Sequence, residues 1–181
     1  MLRISVVGNS GSGKSTCAKK IAEILGVPHI ELDAIHHLEH WEPISPEKFH
    51  GLLVDITAQP GWVIDGNYRA VVVEGPVWEQ ADTVVWLDFP RSVLMRQIIF
   101  RSMRRFFFRQ ELWNGNRETL RNLLSWDPQK SVIRWAWTQP SEYRSRYINA
   151  MTSSEFSHIN FIRLQSHVQL RTWLNKIVSE K

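Results

Sequence analysis

Cysteine is almost absent from this 181-residue chain, where Cys17 stands alone. That excludes a disulfide framework and a cysteine-ligated zinc site within one chain. Long apolar runs are missing too, and nothing approaches the ~20 residues that a membrane span needs. The opening Met-Leu-Arg-Ile-Ser-Val-Val meets Gly8 at once. It is too short and too polar for a secretory signal, so the expected address is the cytoplasm, with no membrane attachment. There is no internal repeat, no low-complexity linker and no Asn-Lys-x-Asp string of the kind that specifies guanine. Nothing resembles a helix-turn-helix or another groove-reading module. What remains is an ordinary globular composition, 43% hydrophobic and 22% charged, with 9 Gly and 8 Pro. Such a chain fits one domain with a buried core, so residues 1–181 read as a single unit. The 9 Trp belong to core and interface before anything more specific.

The net charge of +4 is unevenly placed. Between Arg91 and Arg146, 12 Lys or Arg face 4 acids, a balance of +8 that leaves −4 for the remainder. A basic block in a mildly acidic chain fits a solvated helix face, a nucleic-acid patch or a region that handles phosphate.

Five short apolar, partly β-branched segments read as buried strands: Leu2–Val7, Pro28–Leu32, Trp62–Asp65, Thr83–Asp88 and Asn160–Leu164. Between them run helical patterns. Ser15–Leu25 places Ala18, Ile21, Ala22 and Leu25 on one face, and Gly26 is positioned to stop it. Ser45-Pro46 opens a second helix as N-cap and first-turn proline. Pro90 opens a long arginine-rich helix, and Val168–Val178 closes the chain. Strands alternating with helices give an α/β fold, a parallel sheet covered on both faces. The stretch from about residue 104 to 131 is different. It holds the turn signal Trp113-Asn114-Gly115-Asn116 and the helix breaker Asp127-Pro128. It is too long for an ordinary connection and too apolar for a disordered one. A mobile lid is the preferred account and a small packed helical subdomain the alternative.

Gly8-Asn9-Ser10-Gly11-Ser12-Gly13-Lys14-Ser15 matches G-x-x-x-x-G-K-[S/T] at every fixed position. Glycines allow successive backbone N–H groups to point at phosphate oxygens without side-chain interference. Lys14 neutralises the outer phosphates, Ser15 is placed to ligate Mg²⁺, and the helix that starts here turns its positive end to the anion. With Thr16 in the first turn, Gly8 through Thr16 form the candidate site for a nucleoside triphosphate, ATP with Mg²⁺.

Asp33 follows the second strand and Asp65 ends the third. In a parallel sheet the carboxyl ends of the strands line the ligand crevice, so both carboxylates are expected to face the phosphates. Asp33 would hold Mg²⁺ through water or orient an acceptor hydroxyl; capping the following helix is its plainer role. Asp65 has the placement of a Mg²⁺-organising acid. Arg69, four residues on, would fork onto a phosphate or carboxylate, or else is an ordinary surface arginine. His36 and His37 read as surface residues, and Asp88 reads as structural, a helix cap. Arg96, Arg101, Arg104, Arg105 and Arg109 follow with no acid among them, and Arg101, Arg105 and Arg109 share a face. A polyanionic ligand would relieve their repulsion, which makes Arg101 and Arg105 catalytic candidates beside Lys14 and Asp33. Arg117, Arg121, Arg134, Arg144 and Arg146 are further candidates.

With the loop, Asp65-Gly66-Asn67-Tyr68-Arg69 and the arginine helix placed, the sequence resembles the adenylate-kinase-related small P-loop kinases. Within that group it is most similar to bacterial DNA topology modulation proteins of the FlaR type. The likeness spans nearly the whole chain, through Leu-Asp-Ala-Ile-His-His, Trp-Val-Ile-Asp-Gly-Asn-Tyr-Arg, Trp-Leu-Asp-Phe-Pro-Arg and Phe-Ile-Arg-Leu-Gln-Ser. It implies a three-layer P-loop NTPase fold with five parallel strands in the order 2-3-1-4-5. It also implies an acceptor-binding segment after strand 2, about 33–60, and an arginine-rich lid after strand 4. Asp65 and Arg69 match an Asp-Gly-Phe-Pro-Arg motif whose arginine grips the acceptor's phosphate, with Asn67-Tyr68 replacing Phe-Pro. Arg96 and Arg101 fall near arginines at the lid base, and Gln165-Ser166-His167 near the adenine-facing loop. Asp33 is closer to the shikimate-kinase style of acceptor handling, so Asp33, Asp65 and Arg69 make the expected substrate site.

Three functions follow from these readings. The first is a kinase that transfers phosphate from ATP to a small acceptor, with a nucleotide among the candidates. The second is a nucleotide-dependent regulator that binds DNA through the basic block, and the third is an ATPase without a small acceptor.

Overall fold

The computed structural model describes residues 2–107, 113–116 and 140–179, with residues 105–107, 140 and 141 described through their backbone alone. Five strands form one parallel sheet: β1 (Arg3–Gly8), β2 (His29–Glu31), β3 (Trp62–Asp65), β4 (Thr83–Leu87) and β5 (Asn160–Leu164), in the order β2-β3-β1-β4-β5. The helices among the described residues are α1 (Lys14–Leu25), α2 (Leu32–His36), α3 (Pro46–Thr57), α4 (Arg69–Val72), α5 (Pro76–Gln80), α6 (Arg91–Phe107), α7 (Pro140–Thr152) and α8 (His167–Ser179).

The period-two alternation along the strands explains the layers. Ile4 and Val6 of β1, Val63 of β3, and Val85 and Leu87 of β4 pack with Ala18 and Ile21 of α1 and Leu174 and Ile177 of α8. Their neighbours along each strand, Val7, Trp62, Ile64, Val84 and Trp86, point the other way. They meet Phe49 and Leu53 of α3, Trp78 of α5 and Tyr147 of α7. One sheet thus carries two apolar layers, which is why its strands read as continuous apolar runs. Each fully buried large side chain contributes on the order of 2–3 kcal/mol. Buried Ser5 is paired across the layers: Trp78 Nε1–H donates to Ser5 Oγ at 3.1 Å.

Local signals set the helix ends. Ser45 Oγ accepts the Lys48 N–H with Pro46 in the first turn, and Gly26 ends α1 at φ 71° while its N–H donates to Ala22 O. The strand expected over Pro28–Leu32 is shorter, because Leu32 already begins α2 and is fully buried. Asp88 falls outside β4, although its N–H still donates to Leu164 O. Of the stretch expected as a lid, 104–131, only 104–107 and 113–116 fall among the described residues.

Candidate active site

Gly8 closes β1 where the chain must leave the sheet. It lies at φ 151°, and a Cβ there would come within 2.7 Å of the Leu87 carbonyl, so only glycine fits. The loop then folds on itself as the Ser12 N–H donates to Asn9 O. At Gly11, φ 76°, a Cβ would strike Ile98 Cγ1 at 2.5 Å, so this glycine lets α6 pack directly on the loop. At Gly13, φ 84°, the Cβ direction is open, and no side-chain oxygen caps α1, which begins at Lys14. Gly11 and Gly13 in left-handed geometry, followed by the first turn of a helix, make a concave array of backbone donors suited to phosphate oxygens. Lys14 Nζ reaches across to Asn9 O at 3.3 Å. Burial draws the Lys14 ammonium below its ordinary pKa, helped by Arg101, while Asp33, Asp65 and Glu31 oppose that shift. A phosphate would supply the charge that this ammonium faces.

The second part of the site comes from strand register. Glu31 of β2 is the cross-strand partner of Asp65 in β3, and β3 runs beside β1 with Asp65 opposite Val6. Parallel partners project to the same side, so both carboxylates arrive at the start of α1. The Ser15 hydroxyl lies between them, 2.9 Å from Glu31 Oε1 and 3.1 Å from Asp65 Oδ1. Its single proton serves one carboxylate at a time. Asp65 is 2% exposed, and its other oxygen is bound by His29 Nε2 at 2.6 Å. No group of three or more histidine, cysteine or carboxylate side chains able to hold a metal exists among the described residues. The chemistry still fits Mg²⁺, which keeps several waters and takes only one or two carboxylates besides substrate phosphates. Ser15, Asp65 and Glu31 are the residues that would hold it, directly or through water.

Asp33 stands in the first turn of α2, where Oδ1 accepts the Tyr68 hydroxyl at 2.7 Å. No side-chain hydrogen bond caps that helix. Burial, followed by the charge and hydrogen bond of Asp33, pushes the Tyr68 phenol well above its ordinary pKa, so Tyr68 stays a proton donor. Asn67, next to it, grips the phosphate loop by both faces of Gly8. Its Nδ2 donates to Gly8 O at 2.6 Å, and its Oδ1 accepts the Gly8 N–H at 3.2 Å and the Tyr147 hydroxyl at 3.2 Å. Asn67 and Tyr68, where the resembled motif has Phe-Pro, therefore tie the loop to one wall of the site and Asp33 to another.

The arginines separate by location. Arg101 donates to Ser10 Oγ at 3.2 Å, across from the phosphate loop. Arg105 lies one turn further along α6, with only its backbone described. Arg96 and Arg104 are exposed, and Arg109, Arg117, Arg121 and Arg134 lie outside the described residues. Arg69 begins α4 and is turned back onto Glu74, to which Nε donates at 2.7 Å, both side chains being more than half exposed. Asp88, expected as a helix cap, is instead forked by Arg144 and Arg163, which binds the ends of β4 and β5 to α7.

His36 and His37 are not the free surface pair expected from their loop. His36 packs 4.5 Å from the Tyr68 ring and 5.4 Å from Phe49, between centroids. Burial, then the neighbouring His37, lowers its pKa against the pull of Asp33. His37 stacks on Trp113 at 5.9 Å and meets Trp41 edge-on at 5.3 Å. The short segment Trp113–Asn116 is tied to this loop. Asn116 Oδ1 accepts the Trp41 N–H at 3.0 Å, and its Nδ2 donates to Leu38 O at 2.8 Å. Asn114 Nδ2 donates to His37 O at 2.5 Å. These bonds hold His40 and Trp41 at φ 60° and 63°, a strained pair that the surroundings over-determine.

Sequence reasoning missed Glu31, His29, Asn67, Tyr68 and Asn116 as site residues. Glu31, two residues before Asp33 on the same strand end, was the one with a usable signal.

No protein-family model matches the sequence, and no curated protein does. Solved structures do match over almost the full length. Shikimate kinase from Bacteroides thetaiotaomicron aligns with a TM-score of 0.58 at 17% identity, over 99% of this chain and 97% of that one. The fold is that of the small P-loop kinases. Shikimate kinase from Acinetobacter baumannii, solved in complex with shikimate, aligns with a TM-score of 0.55 at 18% identity, over 99% and 92% of the two chains. These likenesses concern architecture: five parallel strands, the loop after β1 and helices on both faces. The finer likeness to topology modulation proteins has no counterpart in these matches.

Proposed function

We propose that the chain is a phosphotransferase that moves the γ-phosphate of ATP to a hydroxyl of a small acceptor. The observation that carries this is the Ser15–Glu31–Asp65 cluster at the start of α1 beside the Asp33–Tyr68 pair. A cation-organising corner would thus lie beside a proton-accepting carboxylate at the carboxyl end of the sheet. Two of the solved structures that match over nearly the full length are shikimate kinases, which supports the same reading by analogy of fold.

In this scheme the backbone N–H groups of Gly11–Thr16 hold the phosphates, and Lys14 and Arg101 face the charge that spreads over the transferring group. Mg²⁺, when bound, neutralises the phosphate oxygens and aligns them for in-line displacement. Asp33 accepts a hydrogen bond from the acceptor hydroxyl and takes its proton as the acceptor oxygen–phosphorus bond forms and the bond to the departing ADP breaks. Tyr68 fixes the orientation of that carboxylate. Residues 33–60 provide the acceptor's side of the crevice.

Lys14→Ala tests the site. ADP release with ATP-Mg²⁺ and acceptor should drop by at least about 10²-fold, the order seen when one preorganised charge-stabilising group is lost. Full turnover in that variant would overturn the assignment.

A further inference from the structure

We infer that the acceptor is a hydroxyl compound without negative charge, an uncharged or aminated ring of sugar or nucleoside size. The inference rests on the phosphotransfer reading and deepens it. Residues 33–60 carry five acids, Asp33, Glu39, Glu42, Glu47 and Asp55, against the single cation Lys48, a balance of −4 with histidines neutral. An acceptor bearing phosphate or carboxylate would enter against that field.

Several of the described cations are already engaged. Arg69 is bound by Glu74, Arg146 by Glu142, and Arg144 and Arg163 by Asp88. Arg101 is directed at Ser10 of the phosphate loop. His36, the imidazole nearest Tyr68 and Asp33, is kept neutral by its burial and by His37. Tyr68 donates its hydroxyl to Asp33 and brings that carboxylate no positive charge.

The wall beside Asp33 suits an apolar ring face. Tyr68, His36, His37, Trp41 and Trp113 run on from one another with centroids 4.5 to 5.9 Å apart. Aromatic faces carry a negative quadrupole, so they attract C–H groups and cations and repel anions. Asn114 and Asn116 hold the Trp41 and Trp113 portion in place, so the wall is preorganised.

The test sets three rings against their phosphorylated forms: adenosine against AMP, D-ribose against ribose 5-phosphate, and glucosamine against glucosamine 6-phosphate. ADP release with ATP-Mg²⁺ is measured for each, together with the melting temperature of the protein loaded with a non-hydrolysable ATP analogue. At least one uncharged or aminated member should exceed its phosphorylated partner by about tenfold or more in kcat/KM, and should raise the melting temperature further. A phosphorylated member that gives a response and equals or surpasses its partner in either readout overturns the inference. So does a panel in which no member shifts the melting temperature. Stabilisation by an unphosphorylated member with flat ADP release keeps the charge selectivity and counts instead against phosphotransfer.

Discussion

Removing the Asn67 side chain should damage the phosphate loop without replacing any of residues Gly8 to Thr16. Asn67 makes three hydrogen bonds, two to the backbone of Gly8 and one to the hydroxyl of Tyr147, which is 1% exposed. Each such bond has a net worth of about 1 kcal/mol, and a buried partner left unsatisfied costs more. Asn67→Ala should therefore lower stability by about 3 kcal/mol, or about 6–12 °C in Tm at the ~2–4 °C per kcal/mol expected for a chain of this size. Tyr147→Phe keeps the ring in the core and removes one bond, for about 1 kcal/mol. The double variant should cost less than the sum by about 1 kcal/mol, because the orphaned hydroxyl is gone. Urea unfolding of the four proteins without nucleotide measures all three numbers. ATP affinity should weaken in Asn67→Ala, since Gly8 would lose both anchors that orient the loop. A loss below about 0.5 kcal/mol, or strict additivity with Tyr147→Phe, would refute the reasoning.

Three further outcomes follow from the same geometry. His36 is neutral in the fold with its pKa drawn below the ordinary 6.5. The unfolded chain takes up a proton at higher pH than the folded one, so stability should fall as pH drops through 6.5 toward the lowered value. His36→Phe should flatten that slope in urea titrations at several pH values, and an unchanged slope would contradict the assignment. Asn116→Ala should cost about 2 kcal/mol and alter tryptophan fluorescence, because Trp41 and Trp113 lose their tie; an unaltered spectrum would mean that the strap is not held there. Cys17, buried against the sheet, has its thiol pushed up to about 12, first by burial and then by Asp65. A disulfide reagent should leave the native protein unmodified at pH 8 and react on unfolding, and rapid native labelling would show that α1 does not pack as described.

Much of the architecture is legible in the chain because it rests on short-range rules. The spacing Gly8-x-x-x-x-Gly13-Lys14-Ser15 marks a loop that takes positive φ at Gly8, Gly11 and Gly13, where glycine is favoured. Gly26, Ser45-Pro46 and Pro90 mark helix ends within a few residues of where they fall. The apolar runs announce strands buried on both faces. Asp33, Asp65, Lys14 and Arg101 all reach the crevice for the same reason, since strand ends and the helix beside the loop must point there.

Pairing across long separations is another matter, because it depends on register and on which side chains arrive together in space. Glu31 becomes a partner of Ser15 only when β2 aligns with β3, and His29 meets Asp65 by the same alignment. Asn67 holds Gly8 from 59 positions away, and Asn114 reaches His37 across 77. Arg69 could be read as a ligand-binding arginine or a surface one, and in the fold it lies against Glu74. Asp88 could cap a helix or join elements, and two arginines from other segments claim it. A local pattern specifies backbone geometry through sterics and hydrogen bonds a few residues apart. Who pairs with whom is settled by packing the whole sheet and its helices, a contest between distant partners that no window of the chain contains.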